Sequence, residues 1–117
     1  MASSGYIVSI MGKQYYMRGE MVESFRLYLT EGIVPGGFGL AVLEHDLVEA
    51  VNRADAGNID NLPAFVHFMN WQMPAASHGS PEKVRRWMGD ECAHLRAALR
   101  SDWSVKGGYP GGEPWRE

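Results

Sequence analysis

A single cysteine, Cys92, stands among 117 residues, so no disulfide can close within the chain. Such a domain folds by burial alone, as expected of a reducing compartment. No apolar run approaches the roughly 18–20 residues that cross a bilayer, so a membrane span is not expected. The stretch from Met1 to Ile10 has neither a basic cluster nor a long apolar core and does not read as a signal peptide. The expected location is therefore the cytoplasm. The net charge is only −3, far from the basic footprint of a nucleic-acid binder. No repeat is visible, and nothing marks a second domain.

What remains is enough for one core. A chain of 117 residues, 45% of them hydrophobic, buries roughly two-thirds of its unfolded surface. Charge is uneven: residues 1–57 hold four basic and seven acidic side chains, a net −3. The Arg85, Arg86, Arg96 and Arg100 set is interleaved with acids and reads as a solvated helix face.

Periodicity predicts a mainly α fold of about four helices behind a short N-terminal β-hairpin. Tyr6 to Ile10 and Gln14 to Met17 flank a turn containing Gly12. A first helix over 19–31 buries Val22, Phe25 and Leu29 and stops at Gly32. A second, over 38–56, sets Leu40, Leu43, Leu47, Ala50, Val51 and Ala54 on one face and ends at Gly57. The opposite face then carries His45, Asp46, Glu49, Asn52 and Arg53, with Glu44 and Asp55 at its boundary. A third begins near Asn61 with Pro63 in its first turn, and its stripe is Leu62, Phe65, Val66 and Met69. A fourth, from the Ser80 cap to Trp103, buries Val84, Met88, Cys92, Leu95 and Leu99, with Trp87 alongside. Residues 1–103 form the expected domain, and 104–117, rich in glycine and proline, the expected flexible tail.

Candidate chemistry is sparse. His45 and Glu49 share a helix face, but the second histidine of the zinc-peptidase H-E-x-x-H pattern is absent, and Glu49 can pair with Arg53 one turn on. The face geometry also puts His45 away from any pocket. Cys92 and His94 point apart on a helix, and Cys92 lies on the core stripe. His67 and His78 read as structural histidines, and no spacing among the four histidines predicts a metal. The glycine turn Pro35 to Gly39 lacks the lysine and hydroxyl of a phosphate-binding loop. No catalytic residue, metal or cofactor is expected. Trp71 is offset from its helix stripe, so it caps the core edge or meets a partner.

Half of the chain, Tyr28 to Met88, resembles a group of small uncharacterised proteins encoded by bacteriophages and prophages. The resemblance is carried by Glu31-Gly32-Ile33, Pro35-Gly36, Phe38, Ala41-Val42-Leu43 and Asp46-Leu47. It continues through Ala50, Arg53-Ala54-Asp55, Asn58, Leu62, Phe65-Val66, Phe68, Asn70, Pro74 and Gly79 to Val84. That group often reads Asn-Asp at His45-Asp46 and Trp-Gly at His78-Gly79, which argues against a shared histidine site. The resemblance implies phage origin and a compact helical domain, with no activity attached. The leading expectation is a non-enzymatic accessory protein in the cytoplasm of a bacterial host. It would bind a host or phage protein, for example as an anti-CRISPR-like inhibitor of host defence. Glu44, Asp46, Glu49 and Trp71 are its candidate contact residues; the oligomeric state, including a homodimer, stays open. The alternatives are an enzyme whose histidines and Cys92 meet on folding, and a nucleic-acid-binding regulator using the last helix.

Overall fold

The structure, a computed structural model, describes residues 5–102. Strands β1 (Tyr6–Ile10) and β2 (Lys13–Met17) form the expected antiparallel hairpin, Tyr6 opposite Met17 and Ile10 opposite Lys13. Its two turn residues, Met11 and Gly12, have φ of 51° and 82°. Positive φ at both positions gives the turn a twist that matches its strands. Alternation then buries Tyr6, Val8 and Met17 on one side.

Helix α1 (Gly19–Glu31) buries Val22, Phe25 and Leu29 as expected, with Tyr28 beside them. It stops at Gly32, whose φ of 71° is the left-handed conformation that glycine adopts without strain. The chain then turns into α2 (Gly37–Leu43). A Cβ at Gly39 would stand 2.8 Å from Pro35 and 3.2 Å from the Phe25 ring, so only glycine lets α2 sit this close to α1.

The expected long second helix does not exist. Helix α2 ends at Leu43, α3 runs Leu47–Arg53, and α4 runs Ala56–Asp60 with Gly57 inside it. Two aspartates make the breaks. Asp46 accepts a hydrogen bond from the Glu49 amide at 3.1 Å, and Asp55 accepts one from the Asn58 amide at 2.8 Å. Each starts a new helix by satisfying an amide that has no partner within the helix. The break rotates α3 away from the face a continuous helix would present. Leu43 and Ala50 are buried, but Leu47 is 70% exposed, Val48 68% and Val51 45%. Leu47 and Val51 are therefore not core residues.

Helix α5 (Leu62–Gln72) carries Pro63 in its first turn and packs against the hairpin. Ala64, Phe65, Phe68 and Met69 are buried; Val66, expected in the stripe, faces outward. Edge-on aromatic contacts link Tyr6 to Phe68 (5.1 Å between centroids), Phe68 to Phe25 (6.1 Å), Phe25 to Phe65 (6.2 Å) and Phe65 to Phe38 (5.0 Å). Such pairs add about 0.5–1.5 kcal/mol each beyond burial. This chain of rings joins β1, α5, α1 and α2.

Ser80 caps α6 (Pro81–Met88) through the Lys83 amide at 3.1 Å, as expected. The expected final helix is broken at Gly89: a 3-10 turn at Asp90–Cys92 leads into α7 (Ala93–Asp102), which lies against α1. Arg96 closes the break by donating to the carbonyls of Trp87 and Gly89. Val84, Trp87 and Cys92 are buried, Met88 and Leu99 partly so, while Leu95 is exposed. The helices thus number seven among the described residues rather than four, and none is long and apolar enough to cross a membrane. Trp103, Trp115 and the 104–117 tail lie outside the described residues.

The broken second helix separates two outcomes in urea denaturation. Phe65→Ala should lose about 3–5 kcal/mol through its cavity. Leu47→Ala should stay within about 0.5 kcal/mol, as surface substitutions do. Equal losses would restore the continuous helix.

Candidate functional site

The site begins with the turn that ends α2. The Asp46 amide donates to the Ala41 carbonyl at 2.9 Å, and the His45 amide donates to the Val42 carbonyl at 3.0 Å. Together these form a Schellman turn, whose left-handed position usually holds glycine. Here it holds His45, with φ of 60°. A side chain in that conformation costs roughly 1–2 kcal/mol. His45 is consequently thrown clear of both helices.

A second connection brings the loop before α6 to the same place. The Gly79 amide donates to the Leu43 carbonyl at 2.9 Å. The neighbouring His78 then faces His45, with 2.9 Å between His45 Nε2 and His78 Nδ1 and 5.0 Å between ring centroids. Burial, the charge of His45 and the charge of Lys83 lower the His78 pKa from the usual 6.5 to about 4. His67, on α5, stands nearby with its Nδ1 2.6 Å from the Tyr6 hydroxyl and its ring tilted 5.9 Å from that of Trp71.

Two depressions flank His45. One, of about 350 Å³, is lined by Ile10, His45, His67, Asn70, Trp71 and His78 among others. The other, an apolar groove of about 220 Å³, lies between α2–α3 and α5 and is lined by Ala41, Val42, Leu47, Ala50, Leu62, Val66 and Met69, with His45 and Asp46 at its edge. Leu47, Val66 and Trp71 are 70%, 52% and 68% exposed along these two depressions.

The expected contact residues fall into different roles. Trp71 is exposed on this surface. Asp46 is a helix cap, Glu49 pairs with Arg53 at 2.8 Å as its spacing indicated, and Glu44 is half-buried at the end of α2. His45, expected to face away from any pocket, lines both. The sequence held the signal for this correction: Asp46 followed three residues later by Glu49 is a helix-start pattern, here concealed inside an unbroken apolar periodicity. Cys92 is buried in the core, apart from this surface. Among the described residues, no three His, Cys, Asp or Glu side chains group as a metal site. The basic set of the C-terminal half is dispersed: Arg96 caps α6, and Arg100 donates to Glu31 at 2.9 Å and to the Thr30 carbonyl. That hydrogen bond holds the Glu31 carboxyl below its usual pKa.

No protein-family model matches the chain, and neither the curated proteins nor the solved structures give a match.

The half-buried His78 sets a pH dependence of stability. Its folded pKa lies below its unfolded one, so its contribution is fully present above pH 6.5 and is lost as pH falls toward 4. The melting temperature of the protein should therefore fall more steeply across that window than that of His78→Asn. Glu31 and other carboxylates are common to both proteins and cancel in the difference. Parallel melting curves would show that His78 takes up protons freely in the fold.

Proposed function

We propose that this protein works by binding another protein through the apolar face formed by α3 and α5. The observation that carries this reading is the exposure of Leu47 (70%) and Val66 (52%) across one groove, with Trp71 (68%) on the adjoining depression and Val48 (68%) next to Leu47 on α3. Clustered apolar side chains left in water mark interaction surfaces, and tryptophan is prominent among residues that dominate binding. At about 220 Å³ the groove is smaller than most small-molecule sites and almost wholly apolar, which suits the anchors of a protein segment. The excess of acidic side chains in residues 1–57 favours a partner whose apolar anchors are flanked by lysine or arginine.

The resemblance to phage and prophage proteins belongs to the same proposal. On this reading the chain is an accessory protein rather than an enzyme, and its partner is a host protein such as a component of host defence. An acidic surface would then compete for a basic surface that otherwise holds nucleic acid. The nucleic-acid-binding alternative gains nothing from the last helix, where Arg96 and Arg100 are engaged in intramolecular contacts.

The test uses tagged wild type, Leu47→Glu with Val66→Glu, and Ala97→Glu on α7, each confirmed as folded, against lysate of the bacterium that carries the gene. A discrete partner should be retained by wild type and Ala97→Glu and weakened at least ~10-fold, or about 1.4 kcal/mol, by the double variant. Equal retention by all three would remove this face from consideration. Glu49→Lys probes the charge of this face at the loss of the Arg53 ion pair, whereas reversal at Asp46 would remove a helix cap, a loss of about 1 kcal/mol.

A further inference from the structure

An apolar docking face explains Leu47, Val66 and Trp71, but it does not explain two imidazoles whose nitrogens face each other at 2.9 Å. His45 occupies the one backbone position in its turn that glycine would fill without strain, at φ 60°. Strain of this kind persists where the surrounding structure enforces it and clusters at functional sites. Among the described residues each ring hydrogen-bonds only the other through its side chain, so no carboxylate or carbonyl fixes either tautomer. Both rings are carried on clamped backbone: the Gly79 amide on the Leu43 carbonyl at 2.9 Å, and the His45 amide on the Val42 carbonyl at 3.0 Å. The two donors are thus held together before any ligand arrives, as a ligand pair must be.

We propose that His45 Nε2 and His78 Nδ1 are the protein half of a site for a borderline divalent transition metal, Zn²⁺, Ni²⁺ or Cu²⁺. Imidazole suits these ions, whereas Mg²⁺ and Ca²⁺ require oxygen. Nitrogens bound to one ion at ~2.0–2.1 Å, in adjacent positions, stand about 3 Å apart, close to the separation observed here. On binding, the ring that carries the shared hydrogen shifts it to its outer nitrogen, so both facing nitrogens present lone pairs and no proton is released overall. Two protein ligands leave coordination positions open, and the adjoining depression of about 350 Å³ gives room for water in them. Such a site exchanges its ion readily, in contrast to the closed four-ligand sites that hold zinc structurally.

The measurement is calorimetric titration of the full chain with ZnCl₂ and NiCl₂ at pH 7.5, with MgCl₂ as a control. The proteins are wild type, His45→Asn, His78→Gln and His94→Gln. Asparagine is chosen at position 45 because it tolerates the left-handed backbone; His94 is exposed on α7 and lines neither depression beside the pair. Wild type and His94→Gln should take up one equivalent of Zn²⁺ or Ni²⁺ with the same affinity, and Mg²⁺ should give no binding. His45→Asn and His78→Gln should each weaken uptake at least ~10-fold. Circular dichroism establishes that each variant is folded, and if one is not, the other decides. No saturable uptake by wild type, or equal affinity in wild type and a folded variant of the pair, would overturn the proposal. So would a loss of the same size in His94→Gln.

Discussion

Two backbone hydrogen bonds at the end of α2, from Asp46 to Ala41 and from His45 to Val42, fold the chain back on itself, and the exposed apolar surface follows from them. Without that turn, α2 would run on into α3 and carry Leu47 and Val51 into the core. With it, the helix axis changes direction, Ala50 alone from α3 is buried, and Leu47 and Val48 are left in water. The same turn places His45 in the left-handed conformation and so directs its ring toward the loop that carries His78. An exposed apolar face and a histidine pair are two products of one local break.

The surface also needs a rigid support, which the aromatic core provides. Phe65 and Phe68 project from one side of α5 into rings contributed by β1, α1 and α2, and this fixes the opposite side of the same helix, with Val66 and Trp71, toward solvent. The His78 loop is anchored separately. The Tyr28 hydroxyl donates to the Ser77 carbonyl at 2.6 Å, and the Trp87 indole donates to the Tyr28 carbonyl at 3.3 Å. Both contacts are buried, where a lost hydrogen bond leaves an unsatisfied polar group and costs about 1–3 kcal/mol. Burial of the Tyr28 hydroxyl accordingly raises its pKa. His45 and His78 therefore meet at the junction of two independently fixed segments.

The hairpin, the apolar stripe of α1, the Gly32 stop, the Pro63 start and the Ser80 cap were legible in the sequence, because each rests on local chemistry within a few residues. Helix breaks were not. Residues 38–56 keep a helical period of apolar side chains throughout, and that period masks Asp46 and Asp55, whose capping side chains end it twice. Gly89 interrupts the fourth helix, and the closure of that break by Arg96 depends on a contact across a turn. The histidine pair was invisible for a different reason. His45 and His78 are 33 positions apart, and contacts distant in sequence, among them the hydrogen bond between Gly79 and Leu43, bring them together. Trp71 was singled out because it lies off its helix stripe, and it stands 68% exposed.

Backbone NMR assignment across residues 37–56 tests this chain break most directly. Two separate runs of helical carbon shifts, 37–43 and 47–53, are expected, interrupted at 44–46. His45 should show the strong intraresidue amide-to-Hα cross-peak that a positive φ produces. Uninterrupted helical shifts from 38 to 56, with an ordinary helical cross-peak at His45, would contradict it. Leu47 would then return to the core, and the exposed face and the histidine pair would both be lost.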